Sequence, residues 1–242
     1  MPSDTIDATQ HEDLDVVRDY FAHWIAYQRA VECNYIHHRE ARAALRGCMA
    51  ARGPAGSLLD LGCGDAATIP DLVDGLGMTS YTGVDVTPEA LDVATRSIAA
   101  LGVPARLVAA DFTVELPRLP GPYDTIVVSL AMHHLPAHDK PAFFAAVRAQ
   151  LAPGGLLLVY EPSCRPSEGR ARYVARQAAY FTANFTRMTP AHVAMLNQHV
   201  ADADFPESPG AYAALAIDAG FTRADVLYVD PEHFWAALAF RP

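Results

Sequence analysis

Cysteine is scarce and unpatterned in this chain. Cys33, Cys48, Cys63 and Cys164 form no C-x-x-C pair, so neither a zinc ribbon nor a disulfide framework is expected, and a reduced, cytoplasmic setting fits best. Positive charge is also in short supply. The 18 Lys and Arg stand against 28 Asp and Glu for a formal net charge of -10, which argues against a nucleic-acid partner, because neutralising phosphates takes a basic face. No apolar run approaches the roughly 20 residues of a membrane helix, so no membrane partner is expected. The opening stretch MPSDTIDATQHEDLD has neither an apolar h-region nor Arg, so neither a secretory signal nor a transit peptide is expected. Internal repeats and low-complexity linkers are absent as well. What remains, at 51% hydrophobic and 19% charged, is the composition of a compact globular chain.

From Leu58 onward, short apolar runs alternate with amphipathic stretches, the pattern of βα units stacked into a parallel sheet. Ser57–Leu61 ends in Gly62-Cys63-Gly64, and a helical stretch then runs to about Leu76. Tyr81–Asp85 follows, then a helix with Thr87 as N-cap, Pro88 at N1 and Gly102 just past its end. The next runs are Arg106–Ala110, the almost wholly apolar Tyr123–Leu130, and Gly155–Tyr160 after a helix over Lys140–Leu151. Thr189-Pro190 and Ser208-Pro209 each read as a cap with proline at N1. Ala224–Val229 and Trp235–Phe240, separated by Asp230-Pro231-Glu232, read as a closing β-hairpin, so that an antiparallel strand is expected to end the sheet. The expected fold is therefore α/β, a doubly wound and mostly parallel seven-stranded sheet with a C-terminal antiparallel hairpin and a helical cap. As one domain it divides into an N-terminal helical cap (1–55), a core (56–162), a helical insertion (163–205) and a closing helix with hairpin (206–242). The cap holds two helical stretches, Glu12–Val31 and His37–Ala51, the first rich in aromatics at Tyr20, Phe21, Trp24 and Tyr27.

Gly62-Cys63-Gly64-Asp65-Ala66-Ala67 matches G-x-G-x-x-A, in which glycines let the backbone turn tightly from strand to helix and admit a ligand against the main chain. Asp85, about twenty residues on at a strand end, is placed to accept both hydroxyls of a ribose. Asp60 sets a carboxylate beside the turn, where it would repel a pyrophosphate and attract an ammonium. Asp111 offers an acceptor for an adenine amino group and the Phe112 N–H a donor for a ring nitrogen. Ribose, adenine and an ammonium group together describe S-adenosylmethionine.

These residues resemble the class I S-adenosylmethionine-dependent methyltransferases. LLDLGCGDA (58–66) is similar to that family's glycine motif, YTGVDVTPEAL (81–91) to its ribose-binding segment, AADF (109–112) to its adenine-binding segment and LAPGGLLLVYEP (151–162) to its post-sheet motif. The resemblance implies that Asp60 binds the methionine amine and that Gly62 and Gly64 line the cofactor. It further implies that Asp85 holds the ribose and Val86 packs on the adenine. Asp111 and Phe112 would read the adenine edge, and Ser129 and Leu130 would face the sulfonium.

Methyl transfer from a sulfonium is an in-line displacement with a neutral thioether leaving group, so the enzyme chiefly positions the acceptor and excludes water. Three candidates for a role in the chemistry lie at the carboxyl rim of the sheet. His133 and His134 follow the fourth strand, and a neutral imidazole there could act as base, orient the acceptor or simply fill the loop. Glu161 could meet the acceptor or be a structural carboxylate facing Arg165. Substrate candidates are Tyr27, Tyr35, His38, Arg39, Arg176 and Tyr180, where helix packing is the competing use of the aromatics. Arg170, Tyr173 and Phe181 belong with them. His199, Asp202 and Asp204 form one metal-like cluster and His133, His134 and His138 another, but no metal is expected as a cofactor. The expected partner is a small-molecule substrate, with room for a homodimer. Competing readings are an NAD-dependent oxidoreductase, disfavoured by Asp60 and Asp111, and a non-catalytic nucleoside-binding protein.

Overall fold

The computed structural model describes residues 25–242. Tyr20, Phe21, Trp24 and most of the first expected helix lie outside the described residues, as does the acidic opening stretch. Residues 25–32 are helical. Two compact units emerge. One comprises Arg39–Arg170 with Asp204–Pro242; the other, as far as it is described, comprises residues 25–38 and Ala171–Ala203.

The larger unit contains one seven-stranded sheet. Its strands are β1 (Gly56–Leu61), β2 (Met78–Asp85), β3 (Ala105–Ala109), β4 (Tyr123–Ser129), β5 (Leu151–Pro162), β6 (Arg223–Val229) and β7 (Trp235–Arg241), in the order β3-β2-β1-β4-β5-β7-β6. Strands β1 to β5 pair in parallel, and β7 runs antiparallel between β5 and β6. The expected α/β sheet with its antiparallel hairpin is therefore present. The antiparallel strand is inserted, however, and β6 forms the edge. Composition explains the swap: Trp235–Phe240 is buried at every position, whereas β6 keeps Arg223 and Val226 exposed. A strand apolar on both faces needs neighbours on both sides.

The helices are α1 (His38–Arg52), α2 (Ile69–Val73), α3 (Pro88–Ala99), α4 (Phe112–Glu115), α5 (Lys140–Gln150), α6 (Arg170–Asn184), α7 (Pro190–Ala203) and α8 (Pro209–Asp218). Ser208 caps α8 by accepting from Ala211 N at 3.2 Å. Thr87 stands at the N-cap of α3 but makes no side-chain capping bond, and Asp85 Oδ1 instead accepts from Thr87 N at 2.9 Å. On the sheet's α5/α8 side, Phe144 is fully buried and meets Phe221 and Phe240 edge-on at centroid distances of 6.4 and 5.6 Å. Elsewhere, Arg46 of α1 donates to the carbonyls of Asp71, Leu72 and Asp74, supplying cationic donors at the carboxyl end of α2.

Two boundaries differ from expectation, with local reasons. The helix after the glycine turn is only Ile69–Val73 rather than a stretch reaching Leu76. The chain leaves the helix at Asp74, whose ψ is 122°, and Gly75 and Gly77 follow at φ +68° and +62°, so the helix cannot run on to Leu76. Strand β5 runs past Tyr160 because β7 pairs with it as far as Pro162↔Trp235, which brings Glu161 into the strand instead of just after it.

The smaller unit holds an aromatic cluster. Phe185 stacks on Tyr35 at 4.3 Å and on Phe181 at 4.1 Å, with the Tyr180 ring edge-on at 6.4 Å.

Candidate functional site at the carboxyl rim of the sheet

Three carboxylates line successive strand tips. Asp60 lies in β1, Asp85 ends β2, and Asp111 follows β3. The register aligns Asp60 with Gly83 on β2 and with Val127 on β4, which sets it inside the sheet. Asp60 is 4% exposed and accepts a hydrogen bond from Tyr81 Oη at 2.9 Å. Burial, with the charges of Asp85 and Asp65 adding to it, pushes the Asp60 carboxyl up to about 7 against the opposing Tyr81 bond. Among the described residues no ion pair offsets this charge.

The glycine turn is shaped by close approach. Gly62 has φ +68°, and a Cβ there would stand 2.4 Å from Ala131 Cβ, so a side chain at 62 is blocked by both conformation and space. Gly62 N and Cys63 N both donate to Val84 O, at 2.8 and 3.1 Å, and Gly64 N donates to Asp85 Oδ2 at 2.8 Å. Each Asp85 oxygen thus takes one backbone N–H, and a carboxylate oxygen can accept two bonds. Val86, next in line, is 65% exposed. Asp111 caps α4, with Oδ1 accepting from Thr113 N and Oγ1 at 2.8 and 2.7 Å, while Phe112 packs edge-on against Phe143 at 5.6 Å.

After β4, Ser129 and Leu130 are half-buried, and Leu130 turns through φ +54°. Glu161, fully buried, organises the next residues. Its Oε1 accepts from Ala131 N and Met132 N at 3.0 and 2.9 Å, and its Oε2 accepts from His133 N at 3.2 Å and from His133 Nδ1 at 2.6 Å. Of its two expected uses the geometry therefore gives Glu161 the structural one, although its partner is this loop and Arg165 is exposed. Burial disfavours an imidazolium at His133, but Glu161, and then Asp204, outweigh it and raise the His133 pKa, with Lys140 opposing. His134 is more open, with a side chain 40% exposed.

Sequence reasoning missed two participants, Tyr81 and Lys140, and placed a third, Asp204, in a different cluster. Tyr81 bonds Asp60 across the β1–β2 register. Asp204 approaches His133 and His134, and its carboxyl is pushed up to about 6 by burial and by the charge of Glu161, against His133 and Arg170. Lys140, with no exposed surface, donates to Phe205 O and to Glu207 Oε1 at 3.1 Å. A buried lysine or tyrosine hydroxyl demands a partner, but one sequence does not say which. The clusters drawn from sequence spacing are regrouped: Asp204 joins His133 and His134, whereas His138 pairs with exposed Asp139 and Asp202 accepts from Gln198. Of the substrate candidates, Tyr35 and Tyr180 join the aromatic cluster, and Tyr35 Oη accepts from Arg187 N at 2.8 Å. Arg176 lies 5.7 Å from the Tyr173 ring, His38 is buried, and Tyr27 and Arg39 are exposed.

A family model described as a methyltransferase domain matches residues 58–155. The ribosomal protein L11 methyltransferase of Geobacter metallireducens is 33% identical over 107 residues, covering 44% of this chain and 32% of that protein. An uncharacterized Synechococcus protein is 30% identical over 43% of this chain and 24% of its own length, so the chain spans a third or less of these curated relatives. Among solved structures, the DhpI complex with S-adenosylhomocysteine superposes with a TM-score of 0.58 at 18% identity, covering 93% of this chain and 94% of that one. SibL, an S-adenosylmethionine-dependent methyltransferase in apo form, gives 0.54 at 20% identity over 78% of this chain and 51% of its own. A Bordetella parapertussis protein called a possible exported protein gives 0.61 at 21% over 84% and 67%. No helix among the described residues is long and apolar enough to cross a membrane. Residues 58–155 match the methyltransferase-domain model, and the fold is shared with solved S-adenosylmethionine-dependent methyltransferases.

Proposed function

We propose that the protein transfers the methyl group of S-adenosylmethionine to a small-molecule acceptor. The observation that carries this reading is Asp60: a buried carboxylate at a strand tip, held by one tyrosine hydroxyl and lacking a cationic partner among the described residues, suits the ammonium of an amino-acid-bearing nucleoside. Asp85, pinned by Gly64 N and Thr87 N, keeps the capacity to accept two ribose hydroxyls. Gly62 and Gly64 let the cofactor approach the main chain, Val86 covers one adenine face, and Asp111 and the Phe112 N–H read its edge. Ser129 and Leu130 face the sulfonium. His133 and His134 serve the acceptor side, and Glu161 acts as a positioning residue by fixing the His133 ring and the loop that carries it.

The net charge of -10 supports a small acceptor over a nucleic acid, and the composition supports a cytoplasmic setting. Calorimetric titration with S-adenosylmethionine, S-adenosylhomocysteine and NAD tests the cofactor. Micromolar binding of the two sulfur nucleosides that is lost in Asp85→Ala is the expected result. Binding of NAD alone would overturn the reading and move the search to hydride transfer.

A further inference from the structure

Three side chains from two separate parts of the larger unit, His133 and His134 of the loop after β4 and Asp204 after α7, converge. His133 Nε2 lies 3.5 Å from Asp204 Oδ1, and His134 Nδ1 lies 3.8 Å from the same oxygen. The two imidazole rings are 4.0 Å apart, and the three ligand atoms all fall within 4.8 Å of one another. Both nitrogen–oxygen distances are too long for good hydrogen bonds. Ligands held at about 2.0–2.2 Å around a tetrahedral ion stand roughly 3.3–3.6 Å apart, so the spacing suits a shared cation better than direct contact.

The surroundings are those of a built site. His133 Nδ1 donates to Glu161 at 2.6 Å, which fixes the tautomer whose Nε2 lone pair faces Asp204, and Glu161 is itself held by three backbone N–H groups. His133 and Asp204 are 5% and 3% exposed. The backbone on either side is tied down as well, because Phe205 N donates to His133 O at 2.7 Å and Arg170 Nε to Asp204 O at 2.6 Å. Charge also favours a cation: Glu161 and Asp204 face Lys140, whose ammonium is engaged by Glu207, and Arg170.

We propose that His133 Nε2, His134 Nδ1 and Asp204 Oδ1 form a binding site for one divalent transition-metal cation of the zinc or ferrous type, with Glu161 as the outer carboxylate. Two imidazoles and a carboxylate are a donor set such ions take, and a cation held there would favour deprotonation of an acceptor oxygen or sulfur that it met. That role in methyl transfer rests on the proposed function; the metal site itself does not.

The test uses full-length, tag-free protein stripped with a chelator and dialysed, titrated with Zn2+ by calorimetry and with Co2+ by visible absorption. One equivalent of each should bind, with d–d bands for Co2+. His134→Ala and Asp204→Asn should weaken binding by about 100-fold or more, and Glu161→Gln, which touches only the outer shell, by about 10- to 100-fold. His138→Ala should bind as the unaltered protein does. Absence of saturable one-to-one binding, or binding retained in His134→Ala, would overturn the site. Should Asp204→Asn fail to fold by circular dichroism, His134→Ala, which alters a partly exposed side chain, still decides the matter. S-adenosylhomocysteine binding measured on the same samples separates failure of the metal site from failure of the cofactor reading.

Discussion

Ionisation of Asp60 should control cofactor affinity. With its carboxyl near 7, about a tenth of the protein carries the charge at pH 6 and about nine-tenths at pH 8. A ligand ammonium needs the ionised form, so S-adenosylhomocysteine affinity should rise roughly ninefold over that interval, as long as the ligand amine itself stays protonated. Binding at pH 6 should release close to one proton per ligand, making the calorimetric enthalpy depend on the buffer's own ionisation enthalpy. Asp60→Asn should abolish both effects and weaken binding at pH 8 by roughly 30- to 100-fold, equivalent to about 2–3 kcal/mol for a buried charge-assisted bond. The stability of the ligand-free protein should move the opposite way. A carboxyl raised in the folded state keeps a proton that the unfolded chain gives up, so stability falls as pH rises from about 4 to about 7, by up to about 4 kcal/mol. Asp60→Asn should therefore raise the melting temperature of ligand-free protein at pH 8 while impairing its binding. A pH-independent affinity with no buffer-dependent enthalpy, or a variant that binds as well as the parent, would refute the reasoning.

Gly62→Ala forces a Cβ to within 2.4 Å of Ala131 Cβ at a φ of +68°, so S-adenosylhomocysteine binding in calorimetry should be lost and the melting temperature lowered. Phe144→Ala empties a fully buried site among Phe143, Phe221 and Phe240 and should cost about 3–5 kcal/mol in denaturant unfolding. Asp230, buried in the closing hairpin, accepts from Phe234 N and Trp235 N, both at 2.6 Å, and from Glu232 N at 3.0 Å. Asp230→Ala strands these donors and should cost about 2–4 kcal/mol on the same assay. Lys140→Ala leaves Glu207 and the Phe205 carbonyl without their buried cation and should destabilise by about 3–5 kcal/mol.

Local signals and tertiary encounters were unequally legible in the sequence. The parallel strands and their order of appearance could be read because each is a short apolar run closed by its own turn residues, and the three aspartates at the β1, β2 and β3 tips are parts of those same runs. The caps at Ser208 and Thr87 were equally local, yet only Ser208 caps through its side chain. At Thr87 the side chain makes no capping bond, while its own N–H donates to Asp85, and residue preferences do not tell the two caps apart. Length of elements was less legible: α2 stops where Asp74 and Gly75 turn out of the helical region, whereas β5 is lengthened by β7, which returns from the far end of the sequence. Least legible was the second half of the site. Glu161 and His133 could each be marked as rim residues, but not that they share a 2.6 Å hydrogen bond, nor that Asp204, at the end of the helical insertion, faces the same imidazole. The same physics explains why both kinds of residue are there. A carboxylate buried at a strand tip is costly unless something cationic answers it; at Asp60 a ligand ammonium does so in our reading. Glu161 and Asp230, equally buried, are instead answered by backbone N–H groups of the fold itself, which is why neither calls for a ligand.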